Sequence, residues 1–132
     1  MIEVYIDGAS AGNPGPSGAG IYINYKTGKV EHHSTFLGEL TNHEAEFEAL
    51  IIALRLCREQ NIKTVSFRTD SKLVDDAIEK KHVKNPLYVP YVKEALELID
   101  HHFDLFFLKW IPSRQNQQAD RLARQAIIKG RK

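Results

Sequence analysis

Between residues 2 and 37 the chain makes three apolar–polar alternations, and the gaps between them, the first rich in glycine and proline, read as turns. Ile2, Val4 and Ile6 alternate with Glu3, Tyr5 and Asp7; Ile21 and Ile23 flank Tyr22 within residues 19–25; residues 29–37 follow a Thr27-Gly28 turn. A side-chain period of two reads as strands, and the short turns read as hairpins. Three consecutive strands of this kind must lie side by side, antiparallel.

After residue 40 the period changes. "TNHE" places Thr41 three residues before Glu44, the spacing of a capping box, and predicts a helix from Thr41 to about Asn61. Residues 62–69 read as a strand with Val65 and Phe67 inward, and residues 71–81 as a short helix. "KNPLYVP" interrupts, because two close prolines disfavour a continuing helix. A helix over 88–102, a strand over 104–111 and a helix from about Arg114 to Lys129, stopped at Gly130, complete the chain. The order is β-β-β-α-β-α-α-β-α. Two strands added through helical crossovers make the class α/β, a mixed sheet with helices on its faces.

A length of 132 residues with 42% hydrophobic and 27% charged composition predicts one soluble domain over 1–132, expected to be a monomer. The first apolar run is too short for a signal peptide or a membrane span. Cys57 is the single cysteine, so no internal disulfide forms, and a reducing, cytoplasmic setting is expected. Net charge is +1 but uneven: residues 1–62 carry −4 and residues 63–132 carry +5. A basic face in the second half suits phosphate, although a solvated basic helix would look the same. No GxxxxGK[ST] loop and no GxGxxG fingerprint is present, which excludes the common nucleotide-cofactor sites. Trp110 sits in an apolar strand and is expected in the core.

Four acids fall in positions that composition does not explain. Asp7 ends the first predicted strand and Asp70 follows the fourth. Glu46 shares a helical stripe with Leu50, Ala53 and Cys57; Asp120 begins one with Ala123 and Ile127. Each has a plain structural explanation. Asp70 can cap the helix that follows, and Asp120 can pair with a helix dipole. Glu46 is harder to explain, since a carboxylate on an apolar stripe is costly without a partner. Two strand ends and two first helical turns can converge in a mixed sheet. Converging carboxylates raise one another's pKa, and hard divalent cations relieve that repulsion.

"DGASAGNPG", "TNHEAEFEAL", "TDSK" and "NQQADRLA" resemble, in order and spacing, the four acidic motifs of type 1 ribonuclease H, over about residues 2–128. The resemblance implies a ribonuclease H-like fold, a five-stranded mixed sheet of order 3-2-1-4-5 flanked by helices. It implies hydrolysis of the RNA strand of RNA/DNA hybrids with two Mg²⁺ or Mn²⁺ ions, held by Asp7, Glu46, Asp70 and Asp120 as catalytic ligands. Substrate contacts carried over with it are Gly8, Asn13, Thr41, Asn42, Ser71, Lys72 and Arg114. Asn and Thr side chains can read 2′-hydroxyls and phosphate. Three features depart from the family pattern. Lys72 stands where many members have glutamine. The loop "IPSRQNQQA" has no histidine, leaving Arg114 as its one ionisable group before the acid. "EKKHVKNP" is too short for the basic protrusion of many members, as in a compact branch from archaea and some bacteria. These departures keep two alternatives open: a nuclease for other RNA or single strands, and a weakly active or inactive nucleic-acid-binding homologue.

Overall fold

The computed structural model describes residues 1–130. The three N-terminal alternations form β1 (Ile2–Ser10), β2 (Gly15–Asn24) and β3 (Val30–Leu40); β4 is Thr64–Thr69 and β5 is Leu105–Trp110. They make one sheet in the order β3-β2-β1-β4-β5. β1–β2 and β2–β3 pair antiparallel, as hairpins require, while β1–β4 and β4–β5 pair parallel through helical crossovers. The helices are α1 (Asn42–Glu59), α2 (Lys72–Lys80), α3 (Val89–His102) and α4 (Gln117–Gly130).

Alternation decides which face of the sheet is dry. Val4, Ile6, Ile21, Ile23, Val65 and Phe67 are fully or almost fully buried, in one cluster with Phe47, Leu50, Leu54 and Cys57 of α1. Thr41 caps α1 as its spacing predicts: its Oγ1 accepts from Glu44 N, and Glu44 Oε1 accepts from Thr41 N at 3.0 Å. α4 lies on the opposite face. It crosses β2 at Gly18 and Gly20 and is tied to β3 by Ser34 Oγ, which donates to Leu122 O at 2.5 Å.

Several expected boundaries are corrected. β1 does not end at Asp7; it runs on to Ser10, with Asp7 paired to Gly20, Gly8 to Ala19 and Ala9 to Gly18. The glycine-rich stretch taken as a turn is therefore largely strand, and β2 starts at Gly15. Small residues there continue the ladder and leave room for helices above and below. α4 begins at Gln117, after a 3-10 turn at Ser113–Gln115, and Gly130 is its last described residue, not a stop beyond it. A Cβ at Gly130 would lie 2.2 Å from the Phe36 ring, so this glycine serves packing. Trp110 is not core. It closes the edge strand at 36% exposure, its Nε1 donating to Asp70 O.

Candidate active site

Asp7 sits in the middle of the central strand, on the α4 side. Its neighbours on both faces approach unusually closely. A Cβ on Gly20, directly across the ladder, would lie 2.0 Å from Ala119 O. A Cβ on Gly8 would lie 2.1 Å from Ala45 O and 2.4 Å from Glu46 N. Glycine at both positions lets the first turns of α4 and α1 press against β1 and β2. Those turns carry Asp120 and Glu46.

Asp70 arrives from the parallel neighbour β4, just past its end. Its expected alternative role as a helix cap is taken by Ser71, whose Oγ accepts from Val74 N at 3.2 Å. Asp70 is instead held by Asn116, whose Nδ2 donates to Asp70 Oδ2 at 3.3 Å and to Ile6 O at 2.8 Å. Asn116 thereby ties the start of α4 to both β1 and β4.

The electrostatics are those of gathered like charges. Burial pushes the Asp7 carboxyl up to about 9, and the charges of Asp70, Asp120 and Glu46 push the same way. Asp70 is also raised, by burial first, against the pull of its Asn116 hydrogen bond. Among the described residues no Lys or Arg pairs with Asp7, Asp70 or Glu46. Glu46 is bonded to His43 Nδ1 at 2.8 Å, and Asp120 to Arg124 Nε at 3.1 Å.

This donor set fits hard divalent cations. It offers carboxylate oxygens from Asp7, Glu46, Asp70 and Asp120 and little native positive charge, and hard oxygen donors of this kind are what Mg²⁺ and Mn²⁺ take. A different acidic group, Asp75, Asp76 and Glu79, brings its oxygens within 4.8 Å of one another. It belongs to one helix and joins no second element, so it reads as a solvated helical face.

The expected substrate residues divide. Asn13 and Asn42 meet at the rim, Asn13 Oδ1 accepting from Asn42 N at 3.1 Å, and both are exposed. Thr41 and Ser71 spend their hydroxyls on helix caps, and Gly8 acts by allowing close approach. Lys72 is exposed, its Nζ 4.3 Å from the Trp110 ring centre. Arg114 is exposed in the 3-10 turn before α4. Sequence reasoning missed His43, Asn116 and Gly20. The His43–Glu46 spacing of three residues was a usable signal for the first. Asn116 looks like a helix cap until its side chain is seen turned inward.

A family model described as "Reverse transcriptase-like" matches residues 5–126. The Enterococcus faecalis protein EbsB is 44% identical over 131 residues, covering 98% of this chain and 96% of that protein. A ribonuclease H of Desulforamulus reducens is 32% identical over 139 residues, covering 92% of this chain and 84% of its own length. LC11-RNase H1, solved in complex with an RNA/DNA hybrid, superposes with a TM-score of 0.92 at 30% identity, with both chains fully covered. Its strand order, its four convergent acids and these relatives agree: the chain belongs to the ribonuclease H family.

Proposed function

We propose that the chain is a metal-dependent endoribonuclease that hydrolyses the RNA strand of RNA/DNA hybrids. The observation that carries this reading is Asp7: a buried carboxyl pushed to about 9 by burial and by three other acids, with no Lys or Arg paired to it among the described residues. A structural role would leave that cost uncompensated. The hybrid as substrate is supported by the likeness to LC11-RNase H1 and by the exposed Asn13–Asn42 rim.

Asp7, Glu46, Asp70 and Asp120 would hold two Mg²⁺ or Mn²⁺ ions. When bound, such ions neutralise phosphate charge and lower the pKa of a water for in-line displacement. The chain's own residues do the rest. Asp7 faces Asp70 and Asp120 on one side of the sheet, and Asn116 fixes Asp70 against β1. Glu46, steadied by His43, approaches from the α1 side and is placed to orient the attacking water and the neighbouring 2′-hydroxyl. Asn13 and Asn42 contact the nucleic-acid backbone at the rim, and Arg114 takes a phosphate beside the last acid. A guanidinium holds phosphate well but carries protons poorly near neutral pH, so Arg114 binds and does not shuttle.

The test is cleavage of matched labelled hybrid, duplex RNA and single-stranded RNA under each metal. Metal-dependent cleavage confined to the hybrid is expected. Preferential cleavage of another RNA would move the substrate assignment, and no cleavage under either metal would overturn the enzymatic one.

A further inference from the structure

α4 covers only part of its face of the sheet. It starts above Gly20 and runs away over Gly18 towards Phe36. Beyond its N-terminus the sheet lies open, and the register puts Tyr5, Tyr22 and His32 in one row across β1, β2 and β3. Tyr5 and Tyr22 have ring centres 5.8 Å apart, and Tyr22 and His32 5.1 Å apart. Above the row, Arg114 and Arg121 overhang a 380 Å³ pocket whose floor is Tyr5, Tyr22 and Asn24. Neither arginine is in an ion pair among the described residues. The pocket lining contains no acid, and Glu3, two residues before Tyr5 on the same face, is paired with Arg68 at 3.0 Å and Lys26 at 3.5 Å.

We propose that this open half-face is a second nucleic-acid site, which binds a single-stranded polynucleotide by stacking its bases on Tyr22 and its aromatic neighbours while Arg121 and Arg114 take its phosphates. The chemistry selects a single strand. Aromatic side chains on a sheet stack on unpaired bases, which a duplex keeps inside. A pocket of this size suits one nucleotide at a time. Free guanidinium groups without opposing carboxylates suit a polyanion. The row is also continuous with the acids: Tyr5 lies two residues before Asp7 on the same face, so a strand lying here leads towards the active site. The Tyr5–Tyr22–His32 row itself contains none of the four acids, and binding to it does not depend on cleavage.

The test uses the full chain in EDTA, with fluorescein-labelled 12-nucleotide single-stranded RNA, DNA of the same sequence and blunt RNA/DNA hybrid, followed by anisotropy. Tyr22→Ala should weaken both single strands about tenfold, and Tyr22→Phe should retain binding, since stacking needs the ring and not the hydroxyl. Arg121→Gln, an exposed change that spares the fold, should weaken single-strand binding and reduce the slope of log Kd against log salt by about 0.7. Cleavage of blunt hybrid with Mg²⁺ should be unchanged in Tyr22→Ala and Arg121→Gln. RNA and DNA arms that respond alike assign recognition to base and phosphate; an RNA-only response adds the 2′-hydroxyl to it. The proposal is overturned if wild type binds neither strand, if Arg121→Gln binds like wild type, or if both variants lose hybrid cleavage in step with strand binding.

Discussion

Replacing Gly20 by alanine isolates the geometry of the active site from its chemistry. The new methyl carbon would stand 2.0 Å from Ala119 O and 2.5 Å from Ala123 N, whereas ordinary contact begins at 3.4 Å. Both atoms are helix backbone and cannot rotate away, so α4 must lift by about 1.4 Å or β2 must bend by as much. Either movement separates Asp120 from Asp7. Overpacking of this kind costs about 1–3 kcal/mol, which in a chain of this size lowers Tm by about 4–12 °C. A displacement of about 1 Å among reacting groups costs roughly 10²-fold in rate. Gly28→Ala is the control. Gly28 has φ +97 and open space around its Cβ position, so alanine there costs about 1–2 kcal/mol of backbone strain without touching the site. Thermal melting and hybrid cleavage with Mg²⁺, measured well below both melting points, separate the two effects. Gly20→Ala should be stable enough to assay yet about a hundredfold slower, and Gly28→Ala should lose stability and keep its rate. If Gly20→Ala cleaves like the wild type, Asp120 is not held by this contact or is not needed.

Asp7→Asn should abolish metal-dependent cleavage, hold the Tm of the metal-free protein near neutral pH and raise it relative to wild type as pH approaches 9, where the wild-type carboxyl ionises; residual cleavage above a few per cent would remove Asp7 from the site. Metal-free wild type should lose stability as pH rises. The Asp7 carboxyl is raised from 3.8 to about 9, so its contribution is complete below about 3.8 and is lost as pH climbs through about 9, and urea midpoints between pH 5 and 9 in EDTA should fall. The same midpoints in millimolar Mg²⁺ should be flatter. Glu46→Gln preserves the shape and the hydrogen bond to His43 but removes charge, so rate should collapse while Tm holds or rises; wild-type cleavage by this variant would refute its role as ligand. Arg114→Ala should weaken hybrid binding and reduce the salt slope by about one phosphate contact, and an unchanged slope would make it a surface charge only.

The element order, the mixed character of the sheet and the odd placing of the four acids were legible from local signals, while the strand order came with the family resemblance. A period of two, a capping box at Thr41–Glu44 and carboxylates at odd places on apolar stripes are written within a few residues of one another. The glycines were not legible. Gly8 and Gly18 read as turn residues because glycine's local preference is for turns, and Gly20 as an ordinary strand position, while their actual reason lies in helices more than thirty residues away in sequence. Tertiary packing overrode propensity there and moved the start of β2 back to Gly15. Trp110 failed for a related reason: its strand is apolar, but that strand lies at the sheet edge, a property of the whole topology and not of "DLFFLKWI".

The site and the fold meet in one short piece of β1. Asp7 cannot be relieved by an adjacent lysine or arginine without losing its ability to take a cation, so the protein has to hold its carboxyl buried and crowded by rigid means. Strand ends would be too loose for this. A central strand is the stiffest backbone available: β1 is paired with β4 as far as Ile6 and with β2 through Ser10, so the β2 ladder carries Asp7 past the point where the β4 ladder stops. Gly8 admits α1 from one face and Gly20 admits α4 from the other, so the two helical acids are delivered by backbone contact, not by long flexible side chains. Asn116 then ties the fourth acid, Asp70, to the backbone of that same strand at Ile6. The repulsion among the carboxylates is borne by packing that is over-determined on every side, which is the condition under which a strained functional arrangement persists.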